Sequence, residues 1–191
     1  AVAGVLVDEV LSAATRFLFH PDGNVGPVYL GGLCYQTLYL VALPADALYG
    51  IHTLRSLGNF DAAGIALDIE VVKGIVKLKW ACALANAEIG HLEVEKADAI
   101  AWACDEVLSG KYDDQFLVDV FQAGSGTSSN MNVNEVVANL SCIRLGGKPG
   151  DRERVHPIDD VNKGQSTNNV FPSGIKVAIA ERAHLVQEAM R

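Results

Sequence analysis

The 191-residue sequence predicts a mainly α-helical protein, and three observations support this fold class. Half of the residues are apolar, which is enough to build a core. In several separate segments these apolar residues recur at steps of three and four, the spacing of one helix face. Gly146-Gly-Lys-Pro-Gly150 interrupts this pattern, and the last helical segment reaches the end of the chain without a stop signal.

The first 40 residues are predicted to form a separate N-terminal arm, to which no function is assigned. Residues 4–19 have the apolar spacing of a short helix. A turn-rich break follows at 21–27, and residues 28–43 are rich in Tyr, Leu and Val, which favours an extended conformation.

Four helices are predicted after this arm. The first begins at Asp61, and the second follows Val94 and stops at Gly110, because glycine readily ends a helix. The third covers residues 131–145. Pro172 suits the first turn of a helix and therefore marks the start of the fourth. The inward-facing candidates of the fourth helix are Ile175, Ile179, Val186 and Ala189.

Composition excludes several classes of partner. The net charge is −8 without any basic block, which argues against nucleic acid. No apolar run reaches the roughly 18–20 residues that a membrane span needs. The histidines are isolated, so we expect neither a metal site nor another cofactor. The cysteines form no Cys-x-x-Cys pair, which is typical of reduced thiols in a cytoplasmic protein: Cys34, Cys82, Cys104 and Cys142.

Residues 121–139 are the most informative stretch. A flexible Gly124-Ser125-Gly126 turn precedes a run of hydroxyl and amide side chains, and an apolar helical pattern follows. Free N–H groups at a helix N-terminus favour an anion, and hydroxyls and amides add hydrogen bonds to a carboxylate. A plain N-cap explains any single Ser or Thr better, but it does not explain the whole run. The segment lacks the glycines of a dinucleotide fingerprint and the Gly-Lys-Ser/Thr of a P-loop.

Three blocks resemble, in the same order, the aspartase/fumarase superfamily: 43–60, 121–139 and 155–172. The resemblance covers about residues 41–191 and implies a helical N-terminal lyase domain at 41–150. It further implies that residues 151–191 begin a central bundle of long helices. Family members are more than twice this length, so the remainder of the bundle is expected to be absent from this sequence.

The family reaction is an elimination that gives fumarate. A base removes the proton beside a carboxylate, which takes up the developing charge as an aci-carboxylate. Hydrogen-bond donors aimed at this group in advance stabilise the charge. Matching motif to motif, the resemblance implies that a small dicarboxylate is bound by Ser125, Thr127, Ser128, Ser166, Thr167 and Asn168. An ordinary N-cap at residues 166–168 is compatible with this role.

His156 and Asp159 fall where fumarases form a second anion site. Ile158 stands where that site has an amide, and a structural loop histidine is an equally good reading of His156. Asn169 stands where the family usually has an acid.

The catalytic residues of the family are not found in this sequence. Its general base is a serine on a Gly-Ser-Ser loop followed by Met-Pro and a lysine, and no such run occurs in the 191 residues. The resemblance also implies a homotetramer in which three subunits build each active site. We therefore expect the 191-residue chain to be inactive by itself.

Two members of the family compete as the specific function. His52 and the segment 165–168 favour aspartate ammonia-lyase, whereas residues 124–132 favour class II fumarase. The preferred reading is release of ammonia from L-aspartate to give fumarate, with reversible hydration of fumarate to L-malate as the alternative. A catalytically incomplete fragment, or a non-enzymatic paralogue acting as an assembly module, is the third reading.

Overall fold

The computed structural model describes residues 28–30 and 40–191, with side chains from residue 43 onward. The predicted helix at 4–19 and the break at 21–27 lie outside the described residues. Two short strands, β1 (Val28–Leu30) and β2 (Leu40–Ala42), pair antiparallel, with Tyr29 opposite Val41. For these two strands the extended prediction is confirmed.

The chain divides into two compact units, residues 1–47 and residues 48–191. The second unit contains the family-like blocks from residue 48 onward and is all helical. Its helices are α1 (Ile51–Asn59), α2 (Ile69–Glu88), α3 (Val94–Leu108), α4 (Thr127–Arg144) and α5 (Thr167–Ala189). Shorter helical turns lie at Asp113–Gln115, Gly124–Gly126 and Pro157–Val161, the last with π-helical hydrogen bonding. The predicted mainly α-helical fold class is confirmed.

Helix α4 is the centre of the second unit, because nearly every one of its side chains is buried. A helix that is buried all round must be covered on several sides. Helix α3 and helix α1 pack against α4, and α2 packs between α3 and α5. The fully buried side chains of this core include Ile75, Val76, Ile100, Val107, Val133, Val136 and Val137.

Helices α2 and α5 approach each other backbone to backbone at two glycines. A Cβ atom on Gly74 would lie 2.2 Å from the carbonyl oxygen of Gly174, and one on Gly174 would lie 2.9 Å from the Ile75 nitrogen. Real side chains do not tolerate such distances, so this crossing requires glycine on both helices. The crossing fixes the N-terminal half of α5 over the N-terminal half of α2.

The predicted start of the first long helix was wrong by eight residues. The helix begins at Ile69, where the Asp68 side chain accepts from the Glu70 N–H at 2.8 Å and caps it. The preceding segment is held away from a helical path by Asp119, whose carboxylate accepts from the N–H groups of Ala63 and Gly64 at 2.9 and 2.8 Å. These long-range contacts override the local apolar spacing.

The two later helix starts also differ from the prediction. Helix α4 begins at Thr127 rather than at residue 131, so the polar run forms its first turn. Helix α5 begins at Thr167, and Pro172 lies inside it, because the Ser166 carbonyl already accepts from the Val170 N–H at 2.9 Å. A proline at this depth removes only one helical hydrogen bond.

The end of α3 and the break after α4 are as predicted. Helix α3 ends at Leu108, and Gly110 follows with a φ of +83°. Gly146 and Gly150 also take positive φ values, which glycine adopts without strain. The predicted domain boundary at this break lies within the second compact unit and remains a prediction about the longer protein.

The second half of α5 is uncovered. The buried residues of α5 are Val170, Gly174 and Ala178, which all lie between its start and its midpoint. Of the predicted inward positions, Ile175 is half-buried, whereas Ile179 and Val186 are 62% and 57% exposed and Ala189 is also exposed. Among the described residues, α2 reaches this half of the helix through surface ion pairs of Glu70 with Arg182 and of Lys77 with Glu181, which leave its apolar side chains exposed. Across the described helices, none combines the length and apolarity that a membrane crossing requires.

Candidate active site

The N-termini of α4 and α5 meet in the structure. The Nδ2 group of Asn130, in the first turns of α4, donates to Thr167 Oγ1 at 3.0 Å. Gly126, the residue before α4, lies directly against the ring of Phe171, where a Cβ atom would be 2.2 Å from the ring. The structure therefore brings the two predicted polar blocks together.

The turn before α4 is held in a strained shape. Ser125 has a φ of +61°, and Gly126 has a φ of +72°. A non-glycine residue seldom adopts this left-handed conformation, and such strain is concentrated at functional sites. The Gln122 side chain stabilises the turn, because its Oε1 accepts from the Ser129 N–H and its Nε2 donates to Ser129 Oγ, both at 2.8 Å.

The three predicted site residues of this turn differ in accessibility. Ser125 and Thr127 are exposed, and Thr127 Oγ1 donates to the Gly124 carbonyl at 2.9 Å. Ser128 is buried, and its Oγ accepts from Ser56 Oγ of α1 at 3.0 Å. Ser125 and Thr127 thus offer hydroxyls to solvent, whereas Ser128 connects the site to α1.

At the start of α5 the predicted residues leave donors open. Ser166 is the N-cap residue, yet its side chain makes no capping hydrogen bond and is exposed. Asn168 is exposed and Thr167 is half-buried. The first N–H groups of a helix have no carbonyl partner within the helix. An anion here would meet hydroxyl, amide and backbone donors together.

Sequence reasoning missed a buried lysine beneath this site. Lys79 of α2 has no exposed surface, and its Nζ donates to Asn162 Oδ1 at 2.7 Å and to Gln165 Oε1 at 2.8 Å. Burial lowers the pKa of Lys79 to about 7, although the neighbouring Cys82 and Cys104 oppose the shift. The clue in the sequence was its position on the apolar stripe of α2, among Val72, Ile75, Val76 and Ala83.

The first family-like block is attached to α4 by a buried carboxylate. Glu135 accepts from the backbone N–H groups of Gly50, His52 and Thr53 at 2.9–3.1 Å, and from Thr53 Oγ1 at 2.7 Å. These are the donors of the α1 N-terminus, so Glu135 occupies the place of an anion there. This block therefore has a structural function in the described chain.

His156 and Asp159 lie at the π turn that precedes α5. His156 Nδ1 accepts from the N–H groups of Ile158 and Asp159 at 3.3 and 3.1 Å. Asp160 Oδ2 accepts from the His156 N–H at 2.8 Å and pairs with Lys96 at 3.2 Å. The imidazole thus uses the donors that an anion would need, and the second anion site remains a prediction.

Within residues 43–191, no group of three or more His, Cys, Asp or Glu side chains is arranged to hold a metal ion. The two buried thiols in this range, Cys104 and Cys142, are free cysteines of the helical core. Burial raises the pKa of Cys104, and also that of Cys142, whose Sγ lies 3.2 Å from the Asp151 carbonyl oxygen.

Comparison with known proteins supports the family and the fold. Residues 41–191 match a family model described as lyase. A class II fumarate hydratase of Myxococcus xanthus is 49% identical over 138 residues, 72% of this chain and 30% of the relative. An aspartate ammonia-lyase of Corynebacterium glutamicum is 46% identical over 140 residues, 72% of this chain and 27% of the relative. A Brucella melitensis crystal structure, described as fumarate lyase:delta crystallin, has a TM-score of 0.76 at 43% identity and covers 78% of this chain and 34% of that chain.

This chain spans about 30% of the length of the curated relatives that it matches. Most of these relatives are class II fumarate hydratases. The family match covers the same segment as the three polar blocks and the helices that present them. The family model, the sequence identity to curated relatives and the similarity of fold agree, so this chain belongs to the fumarate lyase family.

Proposed function

We propose that residues 41–191 supply the dicarboxylate-binding part of a lyase that forms fumarate. The observation that carries this proposal is the meeting of two helix N-termini at the Asn130–Thr167 hydrogen bond. Exposed hydroxyl and amide donors surround this contact, and no carboxylate of the described chain occupies it. A substrate carboxylate has the charge and the acceptors that such donors need.

In the proposed reaction the site stabilises the aci-carboxylate. As the C–H bond beside the carboxylate breaks, negative charge accumulates on its two oxygens. Donors from Ser125, Ser166, Thr167 and Asn168 are already in place, so little reorganisation is required, whereas the Thr127 hydroxyl must first leave the Gly124 carbonyl. Each well-placed donor contributes roughly 3–4 kcal/mol to such a transition state.

Class II fumarase is the better supported of the two reactions, which reverses the order suggested by the sequence motifs. The support comes from the relatives, which are mostly class II fumarate hydratases. Release of ammonia from L-aspartate is the second candidate, because an aspartate ammonia-lyase is 46% identical to this chain.

The general base and the rest of the helical bundle come, in this proposal, from residues beyond the 191. The uncovered half of α5 supports this assembly. Its exposed apolar side chains, Ile179, Leu185, Val186 and Met190, need partners if they are to leave water. A homotetramer with shared active sites, as the family resemblance implies, would supply partners and the missing catalytic groups together.

The test is fumarate formation by the full-length protein, measured by ultraviolet absorbance with L-malate and separately with L-aspartate. Activity with malate alone supports the fumarase reaction, and activity with aspartate supports the ammonia-lyase. The 191-residue chain alone serves as the control and is expected to be inactive. No fumarate from either substrate would contradict the proposal and favour a non-enzymatic assembly module.

A further inference from the structure

The buried amine of Lys79 imposes a direction on the hydrogen bonds around it. A lysine side chain donates hydrogen bonds, and two N–H groups remain even when the amine is neutral. Both amides that face Lys79 present their oxygens to it, Asn162 Oδ1 at 2.7 Å and Gln165 Oε1 at 2.8 Å, and the protonated amine accepts no other orientation. The other end of Asn162 agrees with this orientation, since its Nδ2 donates to the Gln165 carbonyl at 3.0 Å.

The orientation of Asn162 also determines the orientation of the Asn130 amide. Asn162 Oδ1 also accepts from Asn130 Nδ2 at 3.2 Å, so the NH₂ group of Asn130 must point toward Asn162 and Thr167. Its own oxygen is left buried without a donor in the described chain. Flipping the amide would bring that oxygen against Asn162 Oδ1, which is a repulsive contact. The orphaned oxygen is thus explained by the fixed orientation of Asn162.

Thr167 is the last member of this chain of hydrogen bonds. Its Oγ1 accepts from Asn130 Nδ2 at 3.0 Å, so its own hydrogen must point elsewhere. Within residues 43–191 the Thr167 hydroxyl accepts this hydrogen bond and donates none. The hydroxyl is therefore prepared to donate to a bound group at the N-terminus of α5.

An ordinary structural role does not account for Lys79. No carboxylate of the described residues is within ion-pair distance of its Nζ, although burying an amine without an opposite charge is costly. Its only polar partners among the described residues are the two amide oxygens of Asn162 and Gln165. Because Asn162 Oδ1 is also bonded to Asn130, the donors of Lys79 connect to the site above it.

We propose that Lys79 is a positioning residue that orients Asn162 and Asn130 so that the Thr167 hydroxyl donates to the substrate carboxylate. This inference rests on the proposed function, because it assumes that a dicarboxylate binds at Thr167. Lys79 itself does not touch the substrate. Lys79 contributes by orienting the Thr167 hydroxyl before the substrate binds, which strengthens transition-state stabilisation.

A double-mutant cycle in the full-length enzyme tests the proposal. Lys79→Met, Thr167→Val and the double variant are compared with wild type by kcat/KM and by calorimetric binding of succinate as the probe. Thr167→Val is expected to lower kcat/KM about 10²-fold, and Lys79→Met about 10-fold or more. The double variant should lose no more than Thr167→Val alone, because Lys79 acts through that hydroxyl.

Lys77→Met is the matched control. Lys77 lies on the same helix and pairs with Glu181 at the surface, away from the site, so its kcat/KM should remain near wild type. Asn130→Asp is a second, nearly isosteric variant for the case that Lys79→Met does not fold. Its carboxylate would accept the Thr167 hydrogen and reverse the direction of that hydroxyl, so about a 10²-fold loss is expected. The double variant of Asn130→Asp and Thr167→Val should have nearly the same kcat/KM as Asn130→Asp alone.

Each outcome has a defined meaning. Losses that multiply in either double variant would overturn the role of Lys79 and leave the proposed function intact. Wild-type enzyme that forms no fumarate but binds succinate would contradict the proposed function, and the same cycle on the succinate Kd would then decide the role of Lys79. Wild-type enzyme that neither reacts nor binds succinate would overturn both.

Discussion

The N-terminus of α5 and the π turn just before it are both polar helix starts, yet they use their donors differently. At the π turn the cap residue His156 accepts from two backbone N–H groups through Nδ1. At α5 the cap residue Ser166 makes no side-chain capping bond. The π turn therefore satisfies its own donors, whereas the start of α5 has no side-chain cap. A polar helix start indicates a binding site only where its side chains do not already cap it.

The largest expected effect comes from separating the two helix N-termini. Gly126→Ala introduces a Cβ that would lie 2.2 Å from the Phe171 ring, at a φ of +72° that alanine rarely adopts. We expect a loss of roughly 3 kcal/mol in the free energy of unfolding, measured by urea denaturation. Gly124→Ala is the control, since nothing lies within 4 Å of its Cβ position. Equal stability of the two variants would contradict the close approach of α4 and α5.

Ser166→Ala tests whether the open donors at α5 serve a ligand. The hydroxyl caps nothing, so stability should not change, whereas kcat/KM should fall about 10²-fold because a carboxylate donor is lost. Ser173→Ala on the same helix removes only a hydrogen bond to Asn169 and is expected to behave like wild type. A drop in Tm without a drop in kcat/KM would make Ser166 a structural residue.

The buried Lys79 predicts a pH-dependent stability. Its pKa is about 7 in the folded protein and near 10.5 when exposed. Between pH 7 and pH 10.5 the unfolded state binds more protons than the folded state, so the free energy of unfolding rises with pH. The cost of burying the charged amine is absent above pH 10.5 and is fully present below pH 7. Relative to Lys79→Met, wild type should gain about 1 kcal/mol per pH unit between pH 8 and 9. Urea denaturation at pH 8 and at pH 9 measures the difference in unfolding free energy between wild type and Lys79→Met. For the control Lys77→Met this difference should be the same at both pH values. A pH-independent difference for Lys79→Met would exclude the lowered pKa of Lys79.

The smallest effect is expected at the π turn. His156→Ala removes an acceptor from the N–H groups of Ile158 and Asp159, which should cost about 1 kcal/mol, as for the loss of an N-cap. Thermal unfolding measures this loss, and kcat/KM should remain within a few-fold of wild type. The reverse result, a large kinetic loss at unchanged stability, would assign His156 to the second anion site that the family resemblance implied.

Much of the fold and part of the site were predictable from the sequence. The end of α3 near Gly110 followed from local chemistry, because glycine takes the positive φ that commonly follows the last turn of a helix. The starts of α2 and α5 did not, because both involve distant groups: Asp119 holds the segment before α2, and Asn130 of α4 donates to Thr167, the first residue of α5. Local spacing carries no information about such contacts.

For this protein the sequence by itself determined the helical fold class, the family and the two polar blocks at helix starts, since apolar spacing and donor-rich motifs are local properties of the chain. Only the tertiary structure decided which donors remain open. It placed Ser128 against α1, closed the π turn with His156, and brought Lys79, from an apolar stripe 83 residues earlier in the chain, onto Asn162 beneath the site. The physical reason is that a hydrogen bond depends on where both partners lie in space, and a sequence names the groups without their positions.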